Sequence, residues 1–303
     1  MLAKLEGYAS ALLGSLEPAV LATVARELTS LEQTILARQD LRGVLTDTSI
    51  AGNSRGQIVR DLLEGKIDDS TLRLGVYAAS AASAQEVPRA IDEVALAARV
   101  LESTGGFEHA SLGLMEARRR VGGFADALLE ETDVSNFAVI EDELFRWART
   151  IEANLDLRRL LLDRDAPFES RLGTVDALLD GKVDPVTLKL SRFVIEGGRP
   201  RDVVGTLDFL VDYVARARDW RVARVYTARA LDDQSQSQLV SSLTSLTGKD
   251  VELQVALNPD LLGGVLVEVG DLRLDATTRG RLGALHDAVA SGHLYESSLN
   301  ANG

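Results

Sequence analysis

Apolar residues recur at spacings of three and four over most of the chain before residue 221. This spacing is typical of α-helices that bury one face. Two stripes are clearest: Leu21, Val24, Leu28, Leu31 and Ile35, and Phe137, Ile140, Leu144, Trp147 and Ile151. Because Trp147 lies on such a stripe, we predict that it is a core residue and does not bind a ligand.

The two stripes belong to an internal repeat with an offset of 116 residues. Residues 8–13 align without a gap on residues 124–129, and residues 62–68 align on residues 178–184. Between residues 41 and 74, 15 of 34 positions are identical to their partners. Unrelated segments would match at only a few positions, so the sequence indicates a duplication.

Matching start and stop signals in the two copies support the helical interpretation. Gly65 and Gly181 can adopt the left-handed conformation that ends a helix. Asp68 and Asp184 can then cap the next helix, and Pro185 suits its first position. We expect two helical bundles with separate cores, in residues 1–105 and 106–221, divided near the run Ser-Thr-Gly-Gly at 103–106.

After residue 221 the apolar period changes from helical to alternating. Residues 251–257 and 265–269 predict two strands, and Ala223, Val225 and Thr227 suggest an earlier one. Two helices are also predicted, one with Leu239, Leu243 and Leu246 that ends at Gly248, and one with Leu282, Leu285 and Val289. The predicted fold class is therefore mainly α, with two tandem helical-bundle domains followed by a small α/β domain at 222–290. We expect the polar tail, 291–303, to be disordered.

Composition narrows the classes of partner. The formal net charge is −13, which disfavours binding to nucleic acid or to anionic lipid. The chain has no cysteine, so disulfides and thiolate metal sites are excluded. We expect no signal peptide and no direct membrane insertion, because no apolar run approaches the length of a membrane span.

Candidate chemical motifs are weak. His109, His286 and His293 do not have metal-ligand spacing, so we expect no metal site. The Gly-Lys pairs at 65–66 and 181–182 lack the Ser or Thr that a P-loop needs after its lysine. We therefore expect no cofactor and no catalytic residue.

The C-terminal part resembles the delta subunit family of F-type ATP synthases, whose mitochondrial relative is the oligomycin-sensitivity-conferring protein. The resemblance is carried by Asn-Pro-Asp-Leu-Leu-Gly-Gly at 258–264, Val-Gly-Asp at 269–271, Leu-Asp at 274–275 and Arg-Gly-Arg-Leu at 279–282. Upstream, residues 225–231 are similar to the family's first strand, and 196–199 to a loop late in its helical domain. Typical members have one helical domain, and this chain has two.

The resemblance implies a non-catalytic stator connector at the cytoplasmic face of the cell membrane. Its partners would be the N-terminal helices of the alpha subunits and the C-terminal helix of the b subunit, with the beta subunit as a further candidate. The candidate residues for alpha are Tyr8, Leu12, Phe124, Leu128, Val204 and Phe209, in a groove between the first and last helices of a copy. Those for b are Gly263, Gly264, Asp271, Asp275, Arg279 and Leu282. Two alternatives stay open, a general helical-repeat adaptor unrelated to energy coupling and an enzyme with its site in the α/β domain.

Overall fold

A computed structural model describes residues 2–107, 109–163, 166–247, 251–259, 261, 263–270 and 272–277. The chain divides into two compact units, Met1–Val214 and Ala215–Gly303. Within the described residues, no helix combines the length and the apolar character needed to cross a membrane. The first unit contains most of both repeats, and the second contains a β-sheet.

The first copy is a bundle of α-helices. In chain order they are α1 Ala3–Leu13, α2 Pro18–Ala37, α3 Gln39–Leu45, α4 Gly52–Leu63, α5 Asp69–Ala81 and α6 Val87–Thr104. The predicted stripe of α2 is buried at every position, from Leu21 to Ile35. α6 ends at the predicted break, where Gly105 has a φ of +74°.

The second copy repeats this order of helices. Its members are α7 Leu114–Glu130, α8 Phe137–Ala153, α9 Leu155–Leu162, α10 Phe168–Leu179, α11 Pro185–Glu196 and α12 Val203–Arg221. The predicted stripe of α8 is buried, and Trp147 is a core residue as expected, with 5% of its surface exposed. The fold class is thereby confirmed for the helical part, while the residue boundaries of the two predicted domains stay predictions.

The start and stop signals act as predicted in both copies. Gly65 and Gly181 have φ values of +72° and +69°. The carboxylates of Asp68 and Asp184 accept hydrogen bonds from the backbone N–H two residues later, at the start of α5 and of α11. These contacts satisfy N–H groups that have no partner within the helix.

A carboxylate that was not predicted from the sequence, buried in the second copy and half-buried in the first, fixes the same turn in each copy. Glu143 of α8 accepts hydrogen bonds from the backbone N–H of Asp184 and the hydroxyl of Thr187. Glu27 of α2 makes the same pair of contacts 116 residues earlier. The duplication therefore preserves a tertiary hydrogen-bond network as well as an apolar pattern.

The core cluster of the first copy meets the second copy at α7, while the buried stripe of α8 lies outside that cluster. Ala127 of α7 belongs to the core cluster of the first copy, and Phe124 packs against that cluster. α1 and α7, the first helices of the two copies, pack closely along their lengths. Small residues on both helices allow this close approach.

The second unit is a four-stranded sheet with a helix between its first two strands. Its elements are β1 Val222–Thr227, α13 Asp233–Thr247, β2 Glu252–Leu257, β3 Val265–Val269 and β4 Leu272–Asp275. The strand order is β2-β1-β3-β4, with β1 parallel to β2 and antiparallel to β3, and β3 antiparallel to β4. Leu243 of α13 is buried against the sheet residues Ala223, Val225, Val267 and Val269. The three strands and the helix predicted here are confirmed.

Two predicted segments at the C-terminal end are not among the residues that the structure describes. The predicted last helix, with Leu282, Leu285 and Val289, and the tail 291–303 fall outside the described residues, as does Gly248. Strand β4 was not identified from periodicity, because four residues hold only two apolar positions.

Candidate partner-binding surfaces

The alpha-binding candidates of the first copy lie in its core. Tyr8 has 1% of its surface exposed and Leu12 has 6%. The ring of Tyr8 stacks on Tyr77 of α5, with a centroid distance of 3.7 Å and an interplanar angle of 9°. These two residues shape the bundle from inside and present little surface to another chain.

The candidates of the second copy are half-buried and lie on different sides of α7. Phe124 stacks on Phe193 of α11 at 3.8 Å, which repeats the Tyr8–Tyr77 stack of the first copy. Phe209 of α12 lies over Gly122, two residues earlier on α7, where an added Cβ would be 3.5 Å from its ring. Residues two apart on a helix point to opposite faces, so Phe124 and Phe209 do not line one groove. Leu128 and Val204 are half-buried.

The backbones of α1 and α7 touch where the helices cross. A Cβ added to Gly7 would be 1.7 Å from the carbonyl oxygen of Arg120, and one added to Gly123 would be 1.8 Å from that of Lys4. Gly7 and Gly123 are partners in the repeat, as are Lys4 and Arg120. The crossing is therefore reciprocal, like the contact of two subunits related by a two-fold axis.

A charged cluster lies at one side of this crossing. Glu6 of α1 accepts hydrogen bonds from Arg120 of α7 at 2.8 Å and pairs with Nδ1 of His109 at 2.9 Å. Arg120, with 1% of its surface exposed, also donates to the carbonyl oxygens of Gly197 and Ala110. Burial raises the pKa of Glu6, but the hydrogen bonds from His109 and Arg120 outweigh it and hold this pKa below 4.5.

Glu6→Gln is expected to destabilise the chain at pH 7 by about 1.5–3 kcal/mol, the usual contribution of hydrogen bonds to a charged group. A carboxyl whose pKa is lower in the folded state stabilises the fold above pH 4.5 and loses that contribution as the pH falls through the folded-state pKa. The difference in unfolding free energy between wild type and variant should therefore shrink at pH 4 and below, as measured by urea denaturation. The control is Glu116→Gln, which removes an exposed pair with Arg119 and should change little at either pH. A constant difference between pH 7 and pH 3 would contradict the assignment.

The described b-binding candidates meet at one end of the β3–β4 pair. Gly263 and Gly264 precede β3 with φ values of +148° and +79°, and Asp275 ends β4. A Cβ added to Gly264 would be 2.3 Å from the carbonyl oxygen of Ala276. The hydroxyl and the backbone N–H of Thr277 donate to Asp275, and these bonds hold the pKa of its carboxyl below the usual value. The predicted turn into β3 at Gly264 is confirmed.

Three further b-binding candidates, Asp271, Arg279 and Leu282, lie outside the described residues. Across the part of the chain that the structure describes, no group of three or more His, Asp or Glu side chains is placed to hold a metal ion.

The residues that join the two copies were not predicted from the sequence. Gly7 and Gly123 carried a usable signal, because a glycine inside a predicted helix in both copies indicates a close backbone approach. Arg120 and Glu6 carried none, since their pairing depends on how the two copies pack.

A family model described as ATP synthase delta (OSCP) subunit matches residues 122–289. The match covers nearly all of the second helical copy and the α/β region. The first copy lies before the matched residues.

Curated relatives match along most of the chain. ATP synthase subunit delta of Nocardia farcinica (strain IFM 10152) is 32% identical over 287 residues, covering 94% of this chain and 95% of that protein. The protein of the same description from Salinispora arenicola (strain CNS-205) is 30% identical over 275 residues, covering 90% of both chains. A third, from Kineococcus radiotolerans, is 32% identical over 244 residues, covering 80% of this chain and 78% of that protein. The first two relatives are therefore about as long as this chain and match both helical copies.

Proposed function

Because the chain belongs to the family of the ATP synthase delta (OSCP) subunit, it is a peripheral-stalk, or stator, subunit of an F-type ATP synthase, and we propose that it connects the alpha subunits of the catalytic head to the b subunit. The observation that carries this proposal is the family match over residues 122–289, which takes in a helical copy and the α/β region together. A match to the helical part alone would be compatible with a general helical adaptor. Because the match also includes the α/β region, it supports the stator subunit over that alternative.

The proposed mechanism is mechanical. A rotor that turns inside the head would turn the head with it unless a static connection held the alpha subunits. The chain supplies that connection and itself catalyses no step. It works at the cytoplasmic face of the cell membrane, where the complex holds it peripherally.

The two kinds of structure in the chain suit the two proposed partners. Helical bundles recognise amphipathic helices through grooves lined by apolar side chains. The half-buried residues Leu128, Val204 and Phe209 remain candidates for contact with an alpha N-terminal helix. The exposed end of the β3–β4 pair, with Gly264 and Asp275, remains the candidate surface for b.

Tagged full-length chain is expected to retain alpha and b subunits when it is purified from detergent-solubilised native membranes. Leu128→Glu should lower the recovery of alpha about tenfold, which corresponds to about 1.4 kcal/mol, because it puts a charge on an apolar contact surface. Recovery of b should be unchanged. Quantitative immunoblotting of the eluate measures both.

The matched control is Val139→Glu on α8, where the side chain is 49% exposed and no partner is proposed. It should leave both recoveries unchanged. Absence of alpha and b from the wild-type eluate would overturn the proposed function, and equal loss of alpha in both variants would overturn only the role of Leu128. Nucleotide hydrolysis by the purified chain would support the enzyme alternative instead.

A further inference from the structure

One carboxylate, Asp126 of α7, is contacted by side chains from three other helices. Its two oxygens accept hydrogen bonds at 2.7 Å from the hydroxyls of Tyr77 on α5 and Tyr213 on α12. Lys4 of α1 forms an ion pair with it at 2.9 Å. We call these four residues the Asp126 junction. Two of its helices belong to the first copy and two belong to the second.

The carboxylate of the junction is mostly shielded from water, whereas the side chain of Lys4 is 44% exposed. The side chain of Asp126 is 19% exposed, and the Lys4 ammonium group lies 5.9 Å from the ring centroids of both tyrosines. Burial and the Asp126 charge raise the pKa of Tyr77 well above its ordinary value, so its hydroxyl remains a hydrogen-bond donor near neutral pH. Hydrogen bonds to a charged acceptor in such surroundings are stronger than neutral ones.

The crossing of α1 and α7 is reciprocal, but the positions that the repeat relates to the junction do not form a second junction. The repeat partner of Asp126 is Ser10, whose hydroxyl bonds to the carbonyl oxygen of Glu6 in its own helix. The repeat partner of Tyr77 is Phe193, which has no hydroxyl to donate. The two copies therefore differ at the positions that form this junction.

A second group of contacts also links α7 to the first copy. Glu130, one helical turn after Asp126, accepts hydrogen bonds from Tyr8 of α1 at 2.6 Å and from Arg73 of α5 at 3.0 Å. Arg73 also pairs with Glu131 and donates to the carbonyl oxygen of Ala127. Two carboxylates of α7, Asp126 and Glu130, thus bind cations and hydroxyls of the first copy along about one turn of helix.

Helical modules joined by a short segment move relative to each other by default, unless the interface between them is large or specific. We propose that the Asp126 junction joins the two helical copies into one rigid body, so that the copies do not move relative to each other. The duplication then yields one stiff module in place of two that move independently. This inference concerns the chain alone and does not depend on its assignment to the stator.

Spin labels on the full-length chain test the junction directly. The sequence has no cysteine, so Asn53→Cys on α4 and Lys189→Cys on α11, both exposed, place one label on each copy without background. Double electron–electron resonance should give one narrow distance distribution for the otherwise unchanged chain. Asp126→Ser, which copies the residue at the equivalent position of the first copy, should at least double the width of that distribution.

The matched control is Asp61→Ser, which removes an exposed carboxylate bonded to Gln57 within α4 and should leave the width unchanged. If Asp126→Ser does not fold, as judged by circular dichroism, the chain with Tyr77→Phe and Tyr213→Phe decides, because it keeps both rings and loses both hydroxyls. A distribution as narrow as that of the unchanged chain, in the folded Asp126 variant or in the double tyrosine variant, would overturn the proposal.

Discussion

Gly264→Val is expected to weaken binding of the b subunit at least tenfold while leaving binding of alpha intact. Gly264 has a φ of +79°, a conformation that costs a non-glycine residue about 1–3 kcal/mol. The new Cβ would also lie 2.3 Å from the carbonyl oxygen of Ala276 and 2.8 Å from the Cα of Thr277. The end of β4 must therefore move away from β3, which distorts the surface proposed for b.

Paired pull-downs measure this effect, with a peptide of the alpha N-terminus and a C-terminal segment of b as the two baits. Ala256→Val is the control, because it introduces the same side chain at an exposed position of strand β2, where valine is well tolerated. Equal recovery on the b bait by wild type and Gly264→Val would show that this turn does not shape the b site. Loss of alpha binding as well would show that the damage is not confined to the second unit.

Local features of this fold can be predicted because each one depends on a few neighbouring residues. Asp68 caps α5 and Asp184 caps α11 because an Asp side chain can reach the N–H two residues later. The helix ends at Gly65 and Gly181 are predictable for the same reason, because each depends on the backbone conformation of one residue. The duplication made these predictions firmer, because each signal occurred twice at the same offset.

The arrangement of the two copies could not be predicted from local signals. Two amphipathic bundles in sequence are equally compatible with separate modules and with a joined pair. What decides between them is a tertiary contact, the crossing of α1 and α7, together with the side chain of Asp126. The sequence shows that Asp126 and its repeat partner Ser10 differ. The structural role of that difference becomes clear only from the hydrogen bonds that Tyr77 and Tyr213 donate to Asp126.

The joined arrangement changes which surfaces can bind partners. The inward faces of α1 and α7 are buried against each other, and Tyr8 and Leu12 are core residues. A groove built on those residues is closed in the first copy. The candidate residues for alpha that keep exposed surface are therefore those of the second copy, which is also the copy that the family model matches.

Gly7→Ala is expected to destabilise the chain by about 1–3 kcal/mol, the usual cost of overpacking a close contact. In a helix without neighbours the same change would stabilise the chain by about 0.5–1 kcal/mol, because alanine restricts the unfolded backbone more than glycine does. At Gly7 the change in unfolding free energy has the opposite sign, because the new methyl group would lie 1.7 Å from the carbonyl oxygen of Arg120. Backbone atoms cannot rotate away as a side chain can, so α1 and α7 must separate.

Gly173→Ala is the matched control, since Gly173 lies inside α10 with no other atom within 4 Å of an added Cβ. Urea denaturation should show that this variant is at least as stable as wild type and that Gly7→Ala is less stable. Gly123→Ala should resemble Gly7→Ala, because its methyl group would meet the carbonyl oxygen of Lys4 across the same crossing. The double variant should lose less than the sum of the two single losses, since the first separation of the helices already makes room for the second methyl group. Gly7→Ala as stable as Gly173→Ala would mean that the two helices do not meet at these glycines in solution.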